Sequence, residues 1–596
     1  MFLLNACILV GVMLSLPRSS YQECILGKPE DCLDAEFAPG TNLAGEGFDI
    51  TKMERKGAFV LDMTQWKRRD ESCTLCRNPY QENKKQKLPL SVVDWRSRHS
   101  CSGKVSGRVH QSSESLVNSI TSSVENNWQI NLDVTHKDNS GSLMLAGTDS
   151  KLAEYSMQKT KNDKFSFTSH NLACEYYSYR VSSSPKLHQE FKKAIKQLPK
   201  TYSLENKHLF SKLINDFGTH YLTKVKLGGS VQSVTSVRQC QASLEGLSVE
   251  EVQMCLAVEA SATVKATIKT EAKHCRKDAE RTESKSSFSD MFRDRFTEIR
   301  GGHTTEPDLL FSADKNPSAY KEWLNTLQHN PDILSYSLAP LQELLPKGLV
   351  RKNLRLAISH YILEKGLWKN CSAPCQAGIK SDSRDSCVCQ CHNQFAVNQN
   401  CCPTRKGTAR VIVKVERAAN LWGDHTTATD GYVKVFFNKQ LVHRTPVVLN
   451  NNNPYWASVV NLGDQDLTAG HKVRFEVWDE DNKWDDDLLG ECSLDLYSGV
   501  KQDLCVLQHG RLFFRLEGTC APSLGGPLCA DYKQTPMTQS LKSLYVSRHA
   551  HPIPMAVLRR MGVFVNETSS KADQNVGEER KFNATHLSVD DVTLFL

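Results

Sequence analysis

From Met254 to Ile268 every second residue is apolar: Met254, Leu256, Val258, Ala260, Ala262, Val264, Ala266 and Ile268. Between them stand Glu259, Ser261, Thr263, Lys265 and Thr267. A period of two predicts a β-strand with one apolar face. The run is longer than the roughly 9–11 residues a strand needs to cross a bilayer. It therefore reads either as a membrane-crossing strand or as an ordinary sheet strand with one buried face. The period then changes. Lys273, Lys277, Arg281 and Lys285 fall four apart, and Phe288, Met291, Phe292, Phe296 and Ile299 recur at helical spacing. This predicts a helix over 288–299, closed by Gly301-Gly302. As a strand, 288–299 would put Asp290, Asp294 and Glu298 on the face of its phenylalanines, and carboxylates facing lipid are costly.

Upstream, Leu209, Phe210, Leu213, Ile214 and Phe217 predict a helix. Tyr221, Thr223, Val225 and Leu227 predict a strand that ends at Gly228-Gly229, where paired glycines suit a bend, a bulge or a hinge. Earlier still, Leu116, Ile120 and Val124 have helical spacing, and Trp128, Ile130, Leu132 and Val134 alternate as a strand. A polar insertion, 137–164, with weak helical character near Leu152, Tyr155 and Met157, precedes a second strand from Phe165 to Val181. Leu187, Phe191, Ala194, Ile195 and Leu198 form an amphipathic helix. Helical patterns return over 320–367, and from Gly407 the pattern is all strand.

At 596 residues the chain is too long for one core. Its net charge of +7 is mild, fitting weak attraction to anionic surfaces but too dilute to argue for nucleic acid. Residues 2–16 are almost wholly apolar and lead into Pro17 and Ser19-Ser20, which reads as a secretory signal peptide over 1–20. Removing Cys7 with it leaves an even number of the 21 cysteines, as disulfides in a secreted chain require. Cys24 and Cys32 are expected to tie back to Cys73 and Cys76, while Cys492 with Cys505 and Cys520 with Cys529 form two further staples. Seven cysteines between 371 and 402 make a module that bonds must hold, and the odd count sends one bridge outside it, with Cys240 a candidate partner. Cys387, Cys389, Cys391 and His392 could alternatively bind zinc. Asn370, Asn566 and Asn583 head glycan-acceptor triplets.

Carboxylates crowd two loops of the all-strand region. One reads Leu421-Trp422-Gly423-Asp424 and on to Asp430-Gly431-Tyr432; the other runs Trp478-Asp479-Glu480-Asp481 and on to Asp485-Asp486-Asp487. Such clusters repel unless a cation neutralises them, and hard oxygen ligands at this density suit Ca²⁺. Trp422 and Trp484 beside them suit a membrane interface. No Gly-x-Ser-x-Gly elbow or His-Glu-x-x-His run is present, which argues against a hydrolase.

Phe217-Gly218-Thr219-His220-Tyr221, followed after six residues by Gly228-Gly229, resembles the signature of the membrane-attack-complex/perforin superfamily. The resemblance implies a bent central antiparallel sheet flanked by two helical clusters that unfurl into β-hairpins in the membrane. The insertion 137–164 and the segment 254–302 occupy those two places. It implies a multidomain chain: an α+β pore-forming domain over 21–368, an epidermal-growth-factor-like module over 369–404, an all-β C2 sandwich over 405–518 and a tail over 519–596. The two acidic loops, with Asn450-Asn451-Asn452-Asn453-Pro454-Tyr455-Trp456, resemble C2 domains. On that match Asp424, Asp430, Asp479, Asp481 and Asp487, with Asp486 as a further candidate, ligate Ca²⁺. The implied activity is a calcium-dependent pore-forming effector of cytotoxic lymphocytes, stored in granules and secreted. It would bind the phospholipid of target cells, assemble into a ring-shaped homo-oligomer and insert in their membrane. The alternative is a non-lytic calcium-dependent lipid-binding or adhesion protein.

Overall fold

The computed structural model describes residues 24–102, 105–121, 128–134, 141–160, 163–264, 275, 288–311, 317–370, 379–380, 389–391, 396–398, 400–423, 427–481, 485–533 and 550–565. The stretch 1–20 expected to be a signal peptide, the basic residues Lys273, Lys277, Arg281 and Lys285, and Asp424, Trp484, Ala266, Ile268, Asn566 and Asn583 lie outside them.

The first domain is built on an antiparallel sheet of eight strands. These are β1 (Glu46–Asp49), β2 (Glu54–Phe59), β3 (Val92–Cys101), β4 (Ser106–His110), β5 (Phe165–Val181), β6 (His220–Arg238), β7 (Arg295–Arg300) and β8 (Asp332–Pro340). The nineteen-residue β6 is its spine. One edge pairs with β5 from Lys224–Arg180 to Arg238–Phe165. The other edge pairs with β8 over His220–Gly228 and with β7 over Ser230–Thr235. The strand therefore does not end at Gly228-Gly229, as its alternation suggests. Beyond Leu227 both faces of β6 are covered, so buried residues run almost without a break and the two-residue period disappears.

Helices cover this sheet: α1 (Ser113–Thr121), α2 (Lys151–Thr160), α3 (Gln189–Lys196), α4 (Lys207–Phe217), α5 (Val249–Thr263), α6 (Pro317–Thr326) and α7 (Leu349–Glu364). Three segments fold differently from what their periodicity predicts. The stretch carrying Leu256, Val258, Ala260, Ala262 and Val264 is not a strand in this state: α5 runs through it to Thr263, and Val264 is its C-cap. Ser248 and Glu251 close a reciprocal capping box at its start, its alanines favour helix, and Val249, Val252, Leu256 and Ala260 bury one helical face. The segment 288–299 is helical only over Phe288–Met291; Arg295–Arg300 is strand β7. The carboxylates that counted against a strand there are paired, Asp294 with Lys159 at 2.6 Å and Glu298 with Arg300 at 3.0 Å. Trp128–Val134 forms turns and irregular chain, with Asn131 at φ 63°, because Trp128, Leu132 and Val134 all enter the core.

The cysteine pairs Cys24–Cys76, Cys32–Cys73, Cys492–Cys505 and Cys520–Cys529 form as expected. The bridge leaving the small module is Cys402–Cys240, and inside the module Cys391 bonds Cys401. Beyond it come strands β9 (Thr408–Ala419), β10 (Gly431–Phe437), β11 (Gln440–Arg444), β12 (Tyr455–Asp466), β13 (Lys472–Asp479), β14 (Asp487–Asp495), β15 (Gly499–Leu507) and β16 (Gly510–Cys520). They form two four-stranded sheets, β12-β9-β16-β15 and β11-β10-β13-β14, over one shared core.

The end of the chain is not all tail. His551–Pro552 pairs with Leu367–Trp368, and helix α8 (Met555–Arg560) follows. Ile553, Val557, Leu558 and Val563 are buried in the core of the first domain, and Lys207 Nζ donates to Phe564 O at 2.7 Å. Four buried positions within so short a segment are too few to set a period.

Candidate functional site: a glycine joint and an acidic loop pair

The Phe217–Tyr221 run makes a sharp passage from α4 into β6. Gly218 has φ +80°, and a Cβ there would lie 2.5 Å from Phe48 O. Thr219 Oγ1 accepts from Ile50 N at 3.1 Å and donates to Phe48 O at 3.2 Å. His220 is fully buried, with Nδ1 2.8 Å from Thr219 Oγ1 and Nε2 3.0 Å from Trp128 O. Burial pushes its pKa down to about 4, so the ring is neutral at neutral pH and serves as a structural link. Tyr221 lies between Gly47 and Ala339 in the sheet.

Where β6 changes partner, four glycines and one tryptophan meet. A Cβ on Gly228 would stand 1.8 Å from Cys174 O, and one on Gly301 2.3 Å from Gly228 O. Gly301 and Gly302 have φ of +72° and +68°. Side chains on Gly229 or Gly302 would both run into Trp323 of α6, whose Nε1 donates to Gly301 O at 2.8 Å. Trp323 is a packing partner of this joint that the periodicity did not single out; among helical repeats it looks like one more core residue.

Helix α5 lies against β4 and β5. His170 Nε2 is 3.0 Å from Gln253 O, and a Cβ on Gly107 would meet Gln253 Nε2 at 2.0 Å. Glu259 accepts from the backbone N of Phe288 at 2.9 Å and of Ser289 at 3.0 Å, tying α5 to the short helix ahead of β7. Val252, Cys255 and Leu256 pack with Val237 and Phe288, and Cys255 is bonded to Cys275. The apolar positions of the alternating run are thus divided in this state between the helix's buried face and its flanks.

In the sandwich the acidic loops come together at one end. Asp479 is buried and its Oδ1 accepts from Asp430 N at 2.6 Å. Asp487 stands opposite Asp479 across the β13–β14 ladder. Asp430 Oδ1 in turn accepts from Asn450 N at 2.6 Å. Asp486 accepts from Tyr432 OH at 2.8 Å and from Asp481 N at 3.4 Å. Burial, and then the Asp486 carboxylate, push the Tyr432 phenol up to about 12. Gly423 passes so close over Asp479 that a Cβ there would lie 1.8 Å from its Oδ2. Among the described residues no three metal-type side chains converge tightly enough to form a closed metal site. The donor chemistry, carboxylates on two adjoining loops with backbone amides holding them in place, Asn450 N of a third loop among them, fits a hard cation. Trp422 is exposed at this end, its ring 5.1 Å from that of His509. Leu449 and Leu488, next to Asn450 and Asp487, are exposed there as well; the sequence signal, an apolar residue beside a ligand loop, is only clear once the loops are placed.

Residues 37–370 match the MAC/Perforin domain family. The chain belongs to the membrane-attack-complex/perforin family. Within that family, residues 370–404 match the perforin-1-like EGF domain and 409–509 the C2 domain. The chain is 38% identical to mouse (Mus musculus) perforin-1 over 531 residues, covering 88% of this chain and 96% of that protein. It is 40% identical to human (Homo sapiens) perforin-1 over 503 residues, covering 83% and 90%. A solved C2 domain aligns with 19% of the chain and 98% of its own length at 32% identity and a TM-score of 0.17. Within this family, with a C2 domain appended, the chain is a calcium-dependent, pore-forming cytolytic protein and not an enzyme.

Proposed function

We propose that this protein kills target cells by docking on their phospholipid through the C2 loops, assembling side by side into a ring, and inserting two hairpins per subunit. Asp430, Asp479, Asp481 and Asp487, with Asp424 and Asp486, hold Ca²⁺. The bound ion would neutralise the loop carboxylates and allow the sandwich end to approach anionic headgroups. Trp422, Trp484, Leu449 and Leu488 then enter the interface, where aromatic and apolar side chains gain from partial burial. The sheet opens at the Gly228, Gly229, Gly301 and Gly302 joint. The segments between β4 and β5 and between β6 and β7 extend into hairpins, and closure of the ring satisfies every backbone group in lipid.

The observation that carries this reading is the alternation from Met254 to Ile268, which α5 does not need and a lipid-facing strand does. The chain is expected to be made for export, kept in secretory granules and glycosylated at Asn370, Asn566 and Asn583. Dye release from phospholipid liposomes, run beside sedimentation of the protein with the same liposomes, tests the proposal. The expected result is binding and release with Ca²⁺ and neither with EDTA. Calcium-dependent binding without release would favour the non-lytic lipid-binding alternative.

A further inference from the structure

The β6–β7 ladder fixes a register. Ser230 faces Arg300 and Thr235 faces Arg295, so each step forward on one strand is a step back on the other. Twenty further steps in the same register carry 235 to 255 and 295 to 275. Those two positions are Cys255 and Cys275, and they are bonded to each other. The structure thus already holds, outside any ladder, the pairing that the extended hairpin would impose on these two cysteines.

We infer that the Cys255–Cys275 disulfide is a register clamp for the second inserted hairpin, formed in the helical state and carried unchanged into the pore. This rests on the reading that 254–268 enters the membrane. Directly opposed residues of an antiparallel pair have Cα atoms about 4.5–5.5 Å apart, a span a disulfide bridges readily. In the helical state the Cα atoms of Cys255 and Cys275 are 5.4 Å apart. The protein already uses bridges of this cross-strand kind: Cys24 faces Cys76, and Cys101 faces Cys174, in both ladder and bond.

The sequence agrees with the register. Continued inward, the two limbs meet at Lys265, a charge suited to the far aqueous side. Met254, Leu256, Val258, Ala260, Ala262 and Val264 then share a face with Ala266, Ile268, Thr270 and Ala272 on the return limb, and with His274 and Arg276 at the end farthest from the tip, where the hairpin leaves the bilayer. The opposite face carries the disulfide with Glu259, Ser261, Thr263, Lys269 and Lys273, so the clamp sits on the water-filled side, about one membrane thickness from the tip. A one-residue slip would exchange the two faces entirely. The first cluster supports the same construction. In the β4–β5 ladder His110 faces Phe167, and extending that register ends with Lys137 opposite Ser140 around Asp138-Asn139, residue types that suit a two-residue hairpin turn. Leu132 and Val134 then face Leu145 and Leu143, which gives the alternation at 128–134 a place in the pore.

The test relocates the bond. In a C255S/C275S background, A257C with K273C places a bond in the same register. A257C with Cys275 retained and Cys255→Ser places one two residues out. Bond formation is checked by non-reducing peptide mapping, and folding by calcium-dependent sedimentation with liposomes. Removing the bond is expected to lower dye release about tenfold at unchanged binding, a barrier change of the size one mispaired step can impose. The in-register bond should restore release, and the displaced bond should not. Equal release from both relocated bonds, or full release without any bond, would overturn the clamp. Peptide mapping of pores assembled by the native protein gives an independent reading: the 255–275 bond is expected intact, and its loss on assembly would also overturn it. If the native protein binds but releases nothing, the insertion reading itself fails.

Discussion

Replacing Gly228 with alanine is expected to cost the protein about 3 kcal/mol or more of stability, the upper end for overpacking a core, and to abolish dye release from the little that folds. The added methyl would lie 1.8 Å from the carbonyl oxygen of Cys174, and the next nearest atoms are also backbone. No flexible side chain can swing aside, so either β5 must move off β6 or the bulge between Leu227 and Gly228 must be rebuilt. The third side is closed by Gly301 against Gly228 O, with Trp323 holding Gly301 from behind. Gly348→Ala is the matched control, since a Cβ there meets nothing within 4 Å and its backbone is extended. The comparison is read from secreted yield and chemical unfolding followed by tryptophan fluorescence. A Gly228→Ala protein that unfolds like the Gly348→Ala protein would show that the joint has slack.

Asp479→Asn is expected to raise the calcium needed for liposome binding by about two orders of magnitude, the scale of losing one partner from a buried charge interaction. The asparagine oxygen can still accept from Asp430 N, so the sandwich should fold; what changes is the charge at the centre of the acidic end. Asp487→Asn, opposite it on an exposed position, should act in the same direction but less strongly. Asp503→Asn is the control, a carboxylate already engaged by Lys501 at 2.6 Å on β15, outside the acidic loops. Sedimentation against a calcium series checks all three. Equal midpoints for the Asp479 and Asp503 variants would remove the loops from the account.

Much of this was legible in the residues because each signal had one reading. Cysteine parity sent one bridge out of the small module, for which Cys240 was a candidate and proves the partner, and the Phe217–Tyr221 run marked the helix-to-strand passage. The misreadings have a common cause: periodicity reports which face is buried, and several segments bury more than one face or serve more than one state. The run 254–264 satisfies a strand period, while Val249, Val252, Leu256 and Ala260 carry a helix period into it from upstream; the capping box and the alanines decide for helix in this state. β6 runs past its glycines because its far half is covered by helices, Val234 packing with Leu116 and Leu152 and Val237 with Val252 and Leu256. Trp128, Leu132 and Val134 alternate but follow the core around a turn rather than a sheet. Trp323 and the docked segment at 551–565 gave no pattern of their own; a single large side chain and four short-range apolar residues become meaningful only against the surfaces they fill.

The claim at the centre is that one segment is a helix in this state and an alternating strand in the pore. It is tested most directly by placing an environment-sensitive fluorophore, one residue at a time, at positions 256 to 264 and recording emission in solution and after calcium-triggered assembly on liposomes. The account predicts a helical pattern in solution, with Leu256 and Ala260 the most shielded. After assembly it predicts strict alternation, with 256, 258, 260, 262 and 264 in lipid and 257, 259, 261 and 263 in water. A helical pattern that survives assembly, while the liposomes leak, would contradict it.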